Sequence, residues 1–156
     1  MLKFCFCIYI TLLTQSVVYA AEKFSCIDYQ GKSVSMVFTD KMNDGARAKY
    51  NASGDPIIVT HVALLTDFPP AMTAFVLNHE CAHHALGHLK QKRSNHDLEQ
   101  HADCWAAQQL KSRKIFDDEA FKEVKETILQ VGKTDREHTS PKNRVMQLQQ
   151  CLAANS

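Results

Sequence analysis

The chain has 156 residues, with 18 basic and 17 acidic side chains and a formal net charge of +1. This length predicts one domain with a substantial hydrophobic core. The mixed charges and a hydrophobic fraction of 45% exclude a disordered chain. Because there is no basic excess, we expect no nucleic acid partner.

The first twenty residues have the pattern of a secretory signal peptide. Lys3 precedes a largely apolar run over 4–13, and small residues lead to Ala20. We therefore expect residues 1–20 to be cleaved and residues 21–156 to form a single exported domain, periplasmic or secreted, without stable membrane insertion. The oligomeric state is left open. Four cysteines remain in that domain, and an even number in an exported chain favours two disulfides over buried free thiols.

Residues 21–60 predict a small N-terminal antiparallel sheet. Alternating runs at 23–29 and 33–39 flank Gln30-Gly31-Lys32, which favours a hairpin. Residues 46–50 form a third candidate strand, and the β-branched run 57–60 is the clearest strand in the chain.

Four helices are predicted after the sheet, from their caps and apolar spacing. Their expected spans are 69–86, 95–112, 117–132 and 141–152. Strands followed by helices give an α+β fold.

The first of these helices carries the motif His79-Glu80-Cys81-Ala82-His83. In a helix His79 and His83 lie one turn apart on the same face, so both imidazoles can bind one Zn²⁺. Glu80 lies one step round the helix, where it can act as a general base. The alternative is a helix that carries these three residues by chance.

A catalytic zinc needs a third protein ligand, and the second long helix offers one. Leu86 and Leu89 stand where the metzincin pattern requires glycine and histidine, which excludes that branch. Glu99 and Asp103 are four residues apart on one face. We expect Glu99 to be the third ligand and Asp103 to accept a hydrogen bond from His79 or His83. The alternative is a solvated acidic face. The expected zinc site therefore lies between the first two long helices.

The two motifs together, His-Glu-x-x-His and then Glu-x-x-Ala-Asp, resemble the gluzincin zinc metallopeptidases. The chain is most similar to the small minigluzincins related to the CaaX-prenyl-protease group, from Ile57 to Leu152. The resemblance implies that 57–60 is an edge strand that pairs with an extended peptide substrate. An ordinary sheet strand is the alternative. His138 and Arg144 resemble the family's segment before the last helix, although the proline is shifted, and His138 would steady the oxyanion.

The expected function is an exported zinc-dependent metallopeptidase that acts on a peptide or protein substrate. Glu80 would take a proton from a zinc-activated water and pass it to the leaving amine. The alternative is a non-catalytic zinc-binding adaptor or inhibitor on the same scaffold. It is less favoured because a pure binding site has no use for Glu80.

The other histidines are given ordinary roles. His84 points to a different side of the helix from His79 and should bond elsewhere. His88, His96 and His101 are expected at the surface. His61 follows the strand at 57–60, where it could line the cleft.

The helix faces predict how the cysteines pair. Cys81 lies two residues from both zinc histidines, so it points away from the metal and towards Cys26 in the first strand. Cys104 also points away from the zinc, towards Cys151 on the last helix. The predicted disulfides are Cys26–Cys81 and Cys104–Cys151.

Overall fold

A computed structural model describes residues 24–91, 95–132 and 139–154. The predicted signal peptide, 1–20, lies outside the described residues. The three strands are β1 (Ser35–Thr39), β2 (Ala46–Tyr50) and β3 (Pro56–His61). The helices are α1 (Val62–Thr66), α2 (Pro70–Ala85), α3 (Asn95–Ser112), α4 (Asp118–Val131) and α5 (Pro141–Ala153), with a 3-10 helix at His88–Lys90. The expected α+β architecture, a sheet and then about four long helices, is confirmed.

The sheet is mixed, which corrects the expectation that it is antiparallel. Its strand order is β1-β3-β2, with β1 parallel and β2 antiparallel to β3. The parallel pair arises because β3 inserts between β1 and β2, so that β2 lies at the edge of the sheet opposite β1. The predicted hairpin is reduced to a single bridge between Ile27 and Ser33. No strand forms over 24–29.

The strand order also decides whether the strand at 57–60 lies at an edge of the sheet. Because β3 is central, the family-like edge role predicted for 57–60 is wrong, and the alternative of an ordinary sheet strand is right. Ile57, Ile58 and Val59 are buried, as expected for a strand with a neighbour on each side. The edge strand that contacts α2 is β2.

Helix α2 begins and ends where the sequence predicts. Pro69 and Pro70 open it, since proline suits the first helical turn. Leu86 caps its end, and Gly87 follows with φ +66°, in the left-handed region that glycine adopts without strain. Helices α3 and α5 also begin at or beside their predicted first residues.

Helix α2 is packed from both sides, which fixes the position of its motif. One core cluster lies among the helices and contains the fully buried Phe75, Val124 and Ile128. A second lies between the sheet and α2 and contains Ile58 and Leu77. Each buried side chain of this size contributes roughly 1.5–3 kcal/mol. The His-Glu-x-x-His motif is therefore carried by a helix whose residues are mostly buried.

Both predicted disulfides are confirmed. Cys26 and Cys81 are bonded with their Cα atoms 5.7 Å apart, and Cys104 and Cys151 with theirs 5.5 Å apart. The first ties α2 to the segment before β1, and the second ties α3 to α5. Among the described helices, none has the length and apolar character needed to cross a bilayer.

Candidate metal centre

Three side chains from α2 and α3 converge at one point. The Nε2 atoms of His79 and His83 are 3.2 Å apart. Glu99 places Oε2 2.9 Å from His79 Nε2 and Oε1 3.3 Å from His83 Nε2. We call these three residues the metal cluster, because within the described ranges they form the group able to hold a metal ion.

The spacing of the metal cluster fits a divalent metal ion. A tetrahedral site with bonds of about 2.0–2.1 Å separates neighbouring ligand atoms by roughly 3.3 Å. The two histidine nitrogens, 3.2 Å apart, are close to this value, and Glu99 approaches each histidine with a different oxygen, at 2.9 and 3.3 Å. Two imidazoles and one carboxylate are donors that zinc accepts, although other transition metals accept them too.

His79 is supported from behind by an ion pair. Its Nδ1 lies 2.7 Å from Asp103 Oδ1, as predicted for one of the two histidines. Arg144 of α5 donates to both oxygens of Asp103, at 2.6 and 2.7 Å. Burial alone would raise the pKa of Asp103, but Arg144 and His79 hold it well below its usual range. The carboxylate therefore stays ionised.

The same contacts change the proton affinity of His79. Burial alone would lower its pKa, but the hydrogen bonds to Asp103 and Glu99 raise it to about 10 in the metal-free protein. Both ring nitrogens of His79 therefore carry hydrogen at neutral pH, and the imidazolium donates one hydrogen to each carboxylate. A metal ion held by the cluster would take the place of the hydrogen on Nε2.

Glu80 lies beside the metal cluster without being part of it. Its Oε2 accepts a hydrogen bond of 2.6 Å from the backbone N–H of Ala48, in the edge strand β2. Burial raises the pKa of the Glu80 carboxyl above its ordinary value, although His79 and His83 oppose the shift. A carboxylate with a raised pKa is suited to accept a proton near neutral pH.

The metal cluster and Glu80 line an open cleft of about 450 Å³. One wall is β2 with the turn before it, including Asp44 and Arg47, which form an ion pair. The other wall is apolar and comes from two helices, α2 and α4, and from the loop before α2. Its members are Phe68, Met72, Val76, Ile128 and Val131.

The structure brings together all of the predicted site residues that it describes. His79, Glu80, His83 and Glu99 line the cleft, and Asp103 lies behind His79 as expected. His138 lies outside the described residues, so its role stays a prediction.

Two further histidine predictions have clear outcomes. His84 donates from Nε2 to the carbonyl of Ile57, so it does bond elsewhere. His61 does not line the cleft; its Nδ1 accepts from Leu64 N–H and caps α1.

One site residue was missed. His88 was expected at the surface but is only 3% exposed, and its Nδ1 lies 3.3 Å from His83 Nδ1. Burial, together with the electrostatic effect of His83 and His101, lowers the pKa of His88 to about 4. The sequence feature that could have indicated this burial is Gly87, whose left-handed backbone turns the chain back towards the end of α2. His96 and His101 are exposed, as predicted.

Comparison with known proteins found no family model that matches the chain, and no curated protein or solved structure significantly similar to it. The protein itself has a cluster that can hold a metal ion, and two disulfides that are compatible with an oxidising compartment.

Proposed function

We propose that the protein is an exported zinc metallopeptidase, in which His79, His83 and Glu99 hold zinc and Glu80 is the general base. One observation carries the proposal: three ligands converge beside a carboxylate that is not a ligand, in an open cleft. Catalytic zinc sites commonly use three protein ligands, including two histidines and a glutamate, and keep a further position for water or substrate. A structural zinc site would use four protein ligands and no cleft.

Zinc held by these residues would supply Lewis-acid polarisation of the scissile carbonyl and a water that is acidic near neutral pH. The protein supplies the positioning and the proton transfer. Glu80 can take a proton from the attacking water and deliver it to the leaving amine. The Ala48 amide fixes one of its oxygens, so β2 sets the direction of the carboxylate. His138 remains the proposed oxyanion partner.

The shape of the cleft supports an extended peptide as substrate. Its wall at β2 is an edge strand, and a peptide can add to such an edge through backbone hydrogen bonds. The apolar wall opposite, which includes Met72 and Val131, offers a place for an apolar side chain of the substrate. We propose that peptides with an apolar residue near the scissile bond are preferred.

Export is proposed from the disulfides together with the N-terminal sequence. Two disulfides are uncommon in a reducing cytosol. The first twenty residues have the pattern of a cleavable signal peptide. Mass spectrometry of the protein purified from a secreting host should find a chain that starts at Ala21. A chain that retains Met1 contradicts the cleavage.

A peptide-library digestion tests the catalytic proposal. Wild type should cut peptides, and Glu80→Gln should lose activity by roughly 10²–10⁴-fold because it removes the base. The same variant should keep its zinc because no ligand is changed. Glu119→Gln on the exposed side of α4 is a matched control and should behave as wild type.

The same digestion separates the enzyme from a non-catalytic zinc-binding adaptor or inhibitor. Cleavage that survives in Glu80→Gln contradicts the role of this residue. Zinc-loaded wild type that cuts no peptide in the library supports the adaptor.

A further inference from the structure

Three histidines form a chain from the metal cluster to the protein surface. His83 Nδ1 lies 3.3 Å from His88 Nδ1. His88 Nε2 then lies 3.3 Å from His101 Nδ1. His88 is buried and His101 on α3 is exposed. We call these residues the histidine chain.

The atoms that face each other give the chain a direction. His83 turns Nε2 towards His79 and Glu99, so its Nδ1 points away from the metal position. A neutral imidazole that binds a metal through Nε2 carries its hydrogen on Nδ1. His83 therefore donates to His88 Nδ1. His88 then carries its own hydrogen on Nε2 and donates it to His101.

We propose that His88 is a positioning residue for His83 and that His101 completes its support, so that the histidine chain holds the second zinc ligand in its metal-binding tautomer. The inference rests on the zinc cluster proposed above but not on peptide hydrolysis. In this assignment His88 supports His83 as Asp103 supports His79. Each is the hydrogen-bond partner of the ring nitrogen that does not face the metal position.

The backbone after α2 is built to bring His88 into this position. Gly87 adopts φ +66°, and the 3-10 helix then begins at His88. A β-carbon at position 87 would make only ordinary van der Waals contact with the ring of Tyr29, at 3.4 Å, so it is the left-handed backbone that favours glycine here. The sharp turn returns the chain to the end of α2, where His88 meets a residue only five positions before it.

A second metal site is the rival interpretation of the same geometry. The 3.3 Å between His88 Nε2 and His101 Nδ1 would also suit two ligands of one metal ion. Zinc sites in proteins use three or four protein ligands, and within the part of the chain that the structure describes no third ligand joins this pair. Hydrogen bonding accounts for both contacts of His88 at once, so it is the assignment we test.

Zinc affinity of the full mature chain, measured by competition with a chelator, tests the proposal. His88→Phe keeps the ring volume but removes the acceptor, and should weaken zinc binding by roughly 10–100-fold. His88→Asn should recover most of that loss, because its side-chain oxygen can accept near the place of Nδ1. His101→Ala should cost several-fold, since water can replace an exposed acceptor. Gln100→Ala, next to it on α3 and also exposed, should bind zinc as wild type does.

Several results would overturn the proposal. One is wild-type affinity in both His88→Phe and His101→Ala, and the second variant decides the question if the first does not fold. Equal losses in His88→Phe and His88→Asn would show that packing matters and the acceptor does not. Two zinc ions in wild type and one in His101→Ala would make the pair a metal site.

The failure of this proposal can be told from the failure of the proposed function. Wild type that binds no zinc removes the cluster and this inference together, whereas zinc binding without cleavage removes only the peptidase.

Discussion

The two histidines of the metal cluster are supported in different ways. His79 is backed by an anion, Asp103, which Arg144 holds with two hydrogen bonds. His83 is backed by the neutral ring of His88. A carboxylate partner raises the basicity of a histidine ligand as well as orienting it, whereas a neutral ring mainly orients it. The His79 side is therefore expected to contribute more to metal affinity.

The two supports also come from different parts of the chain. His88 follows His83 by five residues and needs only the turn at Gly87. Asp103 and Arg144 are separated by 41 residues, so their ion pair depends on the packing of α3 against α5. The charged support is the stronger one, but it requires the tertiary structure to be complete.

Removing a ligand should have the largest effect, since it abolishes the site whichever side is changed. Purified wild type should hold about one zinc ion per chain. His83→Ala and Glu99→Ala should each lose most of it, as measured by elemental analysis. Glu119→Ala, which removes an exposed carboxylate from α4, is the control. Full occupancy in both ligand variants would contradict the metal cluster.

Breaking the charged support should have the next largest effect. Asp103→Asn should weaken zinc binding by roughly 10–100-fold, and by more than His88→Phe does. It also leaves Arg144 without its carboxylate, so the free energy of unfolding should fall by about 3–5 kcal/mol. Chelator competition and urea unfolding measure the two effects, with exposed Asp118→Asn as control. A smaller loss of affinity than in His88→Phe would reverse the comparison.

The disulfide on the His79 side can be removed without touching the cluster. Cys104→Ser with Cys151→Ser should lower the free energy of unfolding by about 2–4 kcal/mol, because a cross-link between α3 and α5 is lost. The matched pair Cys26→Ser with Cys81→Ser should cost a similar amount. Of the two, the first should weaken zinc binding more, since it loosens the helices that carry Asp103 and Arg144. Equal zinc affinity in the two double variants would contradict this.

The smallest expected effect, and the one most specific to His79, is the release of protons when zinc binds. His79 has its pKa raised to about 10 in the metal-free protein, so at pH 7 it holds a proton that zinc must displace. Calorimetry in buffers of different ionisation enthalpy should show about one proton released from this residue per zinc bound. The release should fall towards zero as the pH rises through 10. Asp103→Asn weakens the contact that raises the pKa, so it should release less at pH 7.

The helices and the ligand set were predictable because both depend on local sequence. The ends of α2 follow from Pro69, Pro70 and Gly87, each acting through its own backbone preference. His79 and His83 share a face because they are one helical turn apart. The pairing of Cys104 with Cys151 followed from the same helical geometry. In each case the direction of a side chain was set by residues within one or two turns of it, although Glu99 and Cys151 also had to be brought close by helix packing.

The remaining features depend on contacts between distant segments. Whether β3 is a central or an edge strand depends on which side of β3 the strand β2 pairs with, and a β-branched run is compatible with a central and with an edge strand. The contact of Arg144 with Asp103 depends on the α3–α5 packing. His88 was misjudged because its neighbours Leu89 and Lys90 are exposed, so the run resembles a surface loop; only the direction of the turn at Gly87 buries it.

The position of Arg144 late in the chain has a consequence for shortened chains. A chain that ended before α5 would carry all three ligands and the turn that places His88. In such a chain Asp103 would face His79 but would lack the two hydrogen bonds that Arg144 donates. The charged support is therefore completed only by the last helix, whereas the support of His83 needs only α2, the turn at Gly87 and α3.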